Sequence, residues 1–271
     1  MDSSLAFAQT VSQLSTLGMI LWEKGWAERN AGNISVNISG FFPGIPKGKV
    51  FPGKGETSLI RPHPYLKDQT FLVTGTGTRM RELASDPGHS LLIVRINGSG
   101  NAYSEYLLTN DGTELQPTSE LSSHLSIHEF LFRKGAVDKA IIHTHPTDLI
   151  TITQIRQYCS ENALNHVLWG MHPETMIFIP EGAGFIPFML PGSDEIAEAT
   201  LKKFNTHRAV VWEKHGCMAA GKDVFEAFDL IDTLNKSASV FLRCKSAGYE
   251  PEGLSEIKLT KLSKLAEKFR Q

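Results

Sequence analysis

The chain is 271 residues long, with 27 Lys and Arg against 29 Asp and Glu and a formal charge of −2. That balance excludes the basic excess of a general nucleic-acid binder, and no apolar run reaches the ~18 residues of a membrane span. Hydrophobic residues make up 41% and charged ones 21%, which excludes a disordered chain and leaves one able to bury its own core.

Val11, Leu14, Leu17, Leu21 and Trp22 recur at three-to-four spacing, predicting an amphipathic helix that ends near Gly25. Ile34, Val36 and Ile38 then alternate with polar residues, the period of a half-buried strand. Residues 40–68 contain five Gly and five Pro and read as a long surface loop. Phe71–Val73, Leu91–Val94 and Tyr103–Leu108 are strand candidates, and a helix is expected from Pro117 through Leu121, Leu125 and Phe130. Ala140–His145 reads as a strand stopped by Pro146, followed by a helix from Thr147. Met176–Ile179 and Ala209–Trp212 read as short buried strands, and Ser193 as the cap of a helix running to Phe204. Phe228 to Phe241 and Leu259 to Phe269 mark two last helices. Several strand connections are too short for helical crossovers, so antiparallel pairing is expected. With no repeat and no linker, a single α/β domain over residues 1–271 is the economical organisation.

No Lys or Arg occurs in the first 23 residues, so the basic start of a secretory signal is not expected. The cysteines Cys159, Cys217 and Cys244 include no C-x-x-C pair. Free thiols in a reducing, cytoplasmic setting follow as the expectation. A nucleophilic Cys217, beside His215, competes with a plain buried thiol.

The sharpest chemical signal is Ile141-Ile142-His143-Thr144-His145-Pro146. Residues two apart on a strand share a face, so His143 and His145 would project together and could grip one metal ion. The competing reading is two solvated polar residues at a strand end. A third imidazole, His215, follows the Ala209–Trp212 strand and precedes Gly216. Three His with an open fourth position is a catalytic zinc arrangement, and nitrogen donors disfavour Mg²⁺ and Ca²⁺. Glu120, in Pro117-Thr118-Ser119-Glu120, is the candidate acid–base, against a capping charge at a helix start. On the same helix Glu120, His124 and His128 recur every four residues and face one way, a rival metal site set against the favoured reading of packing and surface. His128-Glu129 opens like H-E-x-x-H, but Phe132 stands where the second His belongs. Three segments rich in small and hydroxyl residues could hold a phosphate without a lysine: Asn30-Ala31-Gly32-Asn33, Thr74-Gly75-Thr76-Gly77-Thr78, and Thr118-Ser119. Each alone also reads as an ordinary turn.

Taken in order, Glu28–Asn33, Val73–Gly77, Pro117–Leu121, His143-Thr144-His145 and Lys214-His215-Gly216 resemble the motifs of the class II aldolase/adducin family. Ile179-Pro180-Glu181-Gly182 and Pro191–Ile196 extend the resemblance over nearly the whole chain. The resemblance implies a three-layer α/β/α fold with a largely antiparallel sheet, a homotetramer, and one zinc per subunit on His143, His145 and His215. It implies cleavage of a phosphorylated ketose, with Glu120 as the catalytic carboxylate. Phosphate contacts would fall to Asn30, Gly32, Asn33, Gly75, Thr76, Thr118 and Ser119. Thr76 stands where Ser is usual and keeps the hydroxyl. Glu174 lines up with a carboxylate that reaches a neighbouring subunit's site, although Trp169-Gly170-Met171-His172-Pro173 before it departs from the pattern. Other ketose-phosphate aldolases, epimerases and dehydratases of the family remain open alternatives, as does a metal-free interaction module like adducin.

Overall fold

The computed structural model describes residues 3–41 and 50–269. The expected N-terminal helix is α1 (Ser3–Glu23), which buries Phe7, Leu14, Leu17 and Leu21 along one stripe. Trp22 falls off that stripe and is exposed. Gly18 lets α1 lie close to α2 (Met80–Ser85): a Cβ there would stand 2.8 Å from the Met80 carbonyl oxygen. Among the described residues no helix is long and apolar enough to cross a membrane.

Two compact units are distinguished. The first holds residues 1–144 and 220–225, the second residues 145–219 and 226–271. In the first unit the strands are β1 (Asn33–Asn37), β2 (Phe51–Ser58), β3 (Thr70–Thr74), β4 (Leu91–Ile96), β5 (Ala102–Leu107) and β6 (Ala140–Thr144). They run in the order β2-β5-β4-β3-β1-β6, and every neighbouring pair is antiparallel. Alternate residues Phe71, Val73, Leu92, Val94 and Ile96 pack with Leu121 and Leu125 of α3 (Leu121–Arg133) into one buried cluster. At about 25 cal/mol per Å² of apolar surface removed from water, burial of this cluster stabilises the unit.

Strand β1 corrects one expectation. It is covered on both faces, not half-buried, because Asn33 and Ser35 are buried along with Ile34 and Val36. Its polar face meets α3 through hydrogen bonds, so the alternation marks two chemistries of contact and not core against solvent. The expected 40–68 loop is corrected in part. Residues 42–49 lie outside the described residues, but 51–58 form β2, paired with β5 through a register shift between Pro52 and Glu56. As an exposed edge strand β2 tolerates Pro, Gly and charge, the composition that reads as loop.

The second unit contains α4 (Thr147–Ile152), α5 (Glu161–Met171), α6 (Pro173–Phe178), β7 (Gly184–Ile186), α7 (Asp194–Lys203), β8 (Ala209–Trp212), most of β9 (Gly216–Gly221) and of α8 (Val224–Ser246), and α9 (Glu256–Phe269). Its strands run β9-β8-β7, with β8–β9 antiparallel and β7–β8 parallel. The predicted strand at Met176–Ile179 is a helix through Phe178. Pro173 at its first turn starts it, and a four-residue apolar run cannot by itself separate strand from helix. The Ser193 cap is present, its hydroxyl accepting from the Ile196 N–H at 3.3 Å. The largely antiparallel α/β organisation expected from the short connections is what these ladders show.

Candidate active site

His143 lies in β6, where Asn33 of β1 is its cross-strand partner, and His145 follows two residues later, just past the strand. The chain then enters α4, whose first N–H groups need acceptors. Asn235 of α8 supplies one: its Oδ1 accepts from Asp148 N–H at 3.1 Å and Leu149 N–H at 3.2 Å. His215 closes a tight turn between β8 and β9 in which Lys214 takes a left-handed conformation at φ 59°. Thr153, at the end of α4, pins that turn by accepting from the Lys214 N–H at 2.9 Å. The His145 and His215 rings consequently meet edge-on, with centroids 5.0 Å apart.

One nitrogen from each of His143, His145 and His215 lies within 4.8 Å of the other two. Three imidazoles converging at that spacing suit a borderline divalent ion bound at about 2.0–2.1 Å per nitrogen. The expected trio is therefore brought together, and the donor set fits a metal ion with an open coordination position.

Glu120 does not lie inside a helix begun at Pro117; it is the N-cap of α3, which starts at Leu121. Its carboxylate Oε2 accepts from Asn33 Nδ2 at 3.1 Å. Behind Asn33 lies a buried chain of polar groups. His124 Nε2 stands 2.5 Å from Asn33 Oδ1. Ser35 Oγ lies 2.7 Å from His124 Nδ1 and 2.8 Å from His128 Nε2. Burial holds the His124 imidazole down at about 4 against the pull of the nearby Glu120 charge, and burial likewise holds His128 well below its ordinary value. Both rings are neutral at pH 7. The expectation of packing and surface thus holds for packing and is corrected for surface: both rings are buried, and both are hydrogen-bonded. The signal available in sequence was the four-residue spacing, which cannot reveal that Ser35 would face it.

The three loop segments are stitched together within the first unit. Ile34 N–H donates to Thr74 Oγ1 at 3.0 Å, Thr118 N–H donates to the Thr74 carbonyl at 3.0 Å, and Thr76 N–H donates to the Gln116 carbonyl at 2.7 Å. These N–H groups, with Gly75 N–H on the Ser90 carbonyl, are committed to the fold, which leaves the side chains of these segments as the groups open to a ligand. Gly32 takes φ 80° and a Cβ there would press on the His143 carbonyl oxygen at 3.1 Å. Asn30, Thr76 and Ser119 are exposed, whereas Asn33 and Thr118 are buried. Thr118 and Ser119 also line a hollow of about 360 Å³ with Lys54 and Arg61, cations that the sequence reading did not connect with these loops.

Glu174 sits in the first turn of α6, with Oε2 3.1 Å from His172 Nε2 and half its side chain exposed. Cys217 is fully buried, and that burial pushes its thiol up to about 12, which leaves no thiolate for nucleophilic work.

The family described as Class II Aldolase and Adducin N-terminal domain matches residues 12–242. A rhamnulose-1-phosphate aldolase from Bacteroides thetaiotaomicron is 40% identical over 263 residues, covering 97% of this chain and 96% of that one. A rhamnulose-1-phosphate aldolase from Pectobacterium carotovorum is 34% identical, over 90% of this chain and 88% of that one. Among solved structures, a sugar-phosphate aldolase from Thermotoga maritima superposes with TM-score 0.77 at 33% identity, covering 92% of this chain and all of that one. An L-fuculose 1-phosphate aldolase superposes with TM-score 0.60 at 18% identity, over 97% of each chain, a likeness of fold. A family match across most of the chain, on a fold and a histidine trio of the kind its motifs implied, makes the chain a member of the class II aldolase and adducin family.

Proposed function

We propose that the chain is a zinc-dependent carbon–carbon lyase that reversibly cleaves L-rhamnulose 1-phosphate into dihydroxyacetone phosphate and L-lactaldehyde, working in the cytoplasm as a homotetramer with one zinc per subunit. The observation that carries this reading is the 40% identity to a rhamnulose-1-phosphate aldolase over 97% of this chain.

His143, His145 and His215 would hold the ion. When bound, it supplies Lewis-acid stabilisation of the negative charge that develops beside the ketone as the bond breaks. Glu120, held by Asn33 through Oε2, would deliver the proton to the carbon left behind, a general-acid contribution of about 10²–10⁴ in rate. Asn30, Thr76, Thr118 and Ser119, with Gly32, Asn33 and Gly75 shaping the loops, would grip the phosphate and set the substrate's register. Glu174 would serve the site of a neighbouring subunit.

The deciding experiment is a cleavage assay on L-rhamnulose 1-phosphate with both products identified, run beside L-fuculose 1-phosphate and L-ribulose 5-phosphate. Aldol cleavage confined to another ketose, or epimerisation or dehydration in place of cleavage, sinks the substrate assignment. Protein that takes up no zinc and is inert on every ketose would favour the metal-free interaction-module alternative.

A further inference from the structure

We propose that His124 is a positioning residue for Glu120, acting through the Asn33 amide, with Ser35 and His128 completing a buried hydrogen-bond chain of one fixed direction. The proposal rests on the aldolase reading for what Glu120 does, but its geometry stands independently.

The direction follows from counting donors. A carboxylate has no hydrogen to give, so the amide must present Nδ2 to Glu120 Oε2, which turns Oδ1 toward His124. His124 Nε2, 2.5 Å from that Oδ1, must therefore be the protonated nitrogen of the ring. A neutral ring protonated at Nε2 has an accepting Nδ1, which takes the Ser35 hydroxyl hydrogen across 2.7 Å. Having given its only hydrogen, Ser35 Oγ can only accept from His128 Nε2, 2.8 Å away. Every hydrogen thus points toward Glu120, from His128 through Ser35, His124 and Asn33.

Nothing in this chain can turn over alone. If His124 switched tautomer, Nε2 would face Oδ1 acceptor to acceptor, and the amide would flip and lose Glu120. Ser35, His124 and His128 are each under a tenth exposed, so water does not readily replace a lost partner, and an unmade bond there keeps its full desolvation cost. The carboxylate rotamer of Glu120 is thereby fixed from the core, by residues that touch no substrate.

Two measurements test this. First, ¹⁵N–¹H long-range correlation on histidine-labelled protein, assigned with His124→Gln and His128→Gln variants, should show both rings as neutral Nε2–H tautomers at pH 7. A Nδ1–H tautomer or an imidazolium at His124 overturns the proposal, whatever the chain's substrate proves to be. Second, His124→Leu should lower kcat on L-rhamnulose 1-phosphate about tenfold, the effect of one lost hydrogen bond, with KM and metal content per chain unchanged. His124→Gln, which can still donate to Asn33 Oδ1, should recover most of that loss. In an Asn33→Ala background His124→Leu should add nothing further. Unchanged kcat in His124→Leu, equal losses in both variants, or additive losses with Asn33→Ala would overturn it. Should His124→Leu fail to fold, the tautomer measurement and the Gln variant in its two backgrounds decide.

Discussion

Asn33 faces His143 across the β1–β6 ladder and, from the same position, donates its side-chain amide to Glu120, 87 residues along the chain. One strand residue thus belongs both to the ladder that carries a candidate metal ligand and to the hydrogen bond that orients the candidate acid. Replacing Glu120 with Gln keeps the shape and removes the transferable proton. Turnover should fall by about 10²–10⁴, with metal content and melting temperature close to those of the parent. Full turnover in metal-replete Glu120→Gln would show that another group moves the proton.

Metal analysis should find one zinc per chain. Dialysis against a chelator should abolish cleavage and added Zn²⁺ restore it, while His143→Ala and His215→Ala should each lose both metal and turnover. Full activity from metal-free protein would exclude the three-histidine site as the catalytic centre.

Asn235 acts at a distance from its own helix by accepting two N–H groups at the start of α4, immediately after His145-Pro146. Asn235→Ala should cost about 0.5–2 kcal/mol of stability, as a lost cap does. Because the segment it steadies bears His145, zinc affinity should also weaken, by about 10–100-fold if it behaves like other supporting contacts. Competition with a chromogenic chelator reads the affinity; an unchanged value would mean α4 is held without this cap.

A Cβ on Gly75 would come within 2.3 Å of the Leu115 side chain, joining Thr74–Thr78 to the segment before Thr118. Gly75→Ala should destabilise by about 1–3 kcal/mol through overpacking. Leu115→Ala in the same chain should return part of that loss, a non-additivity read from urea unfolding midpoints. Additive losses would place the strain elsewhere.

His89 bonds to Asp86 and Asp111 together, and hydrogen bonds first to Asp111 and then to Asp86 raise its ring above the usual value. A group raised in the folded state stabilises fully below its unfolded value, near 6.5, and that contribution disappears as pH climbs through the folded value. Wild type should therefore lose its margin over His89→Asn as pH rises above 6.5, tracked by thermal unfolding from pH 6 to 9. A margin that grows with pH would contradict the clamp.

The convergence of His143 and His145 was legible because strand period and Pro146 together fix where they end up. His215 was legible because it follows, two residues on, the run Ala209-Val210-Val211-Trp212, whose β-branched and aromatic residues favour a strand where length alone cannot decide. What escaped has physical causes. Strand β2 looks like loop because an edge strand needs few apolar residues. The helix at Pro173–Phe178 was read from too short a run, and Trp22 was counted into a stripe that it flanks. The full burial of His124 and His128 is hidden from sequence for a deeper reason. Their burial is supported by hydrogen bonds to Ser35 and Asn33, which sit about 90 residues away on a strand whose pairing no local pattern announces.

The polar face of β1 bears on how this chain tolerates change. Asn33, Ser35 and Asn37 alternate with Ile34 and Val36, so slipping the strand by one residue would exchange the two sets completely. An insertion or deletion within 33–37 would push aliphatic side chains at His124 and amides at the opposite layer, losing fold and chemistry in one event. Substitution libraries in this chain should therefore leave the length of this strand untouched.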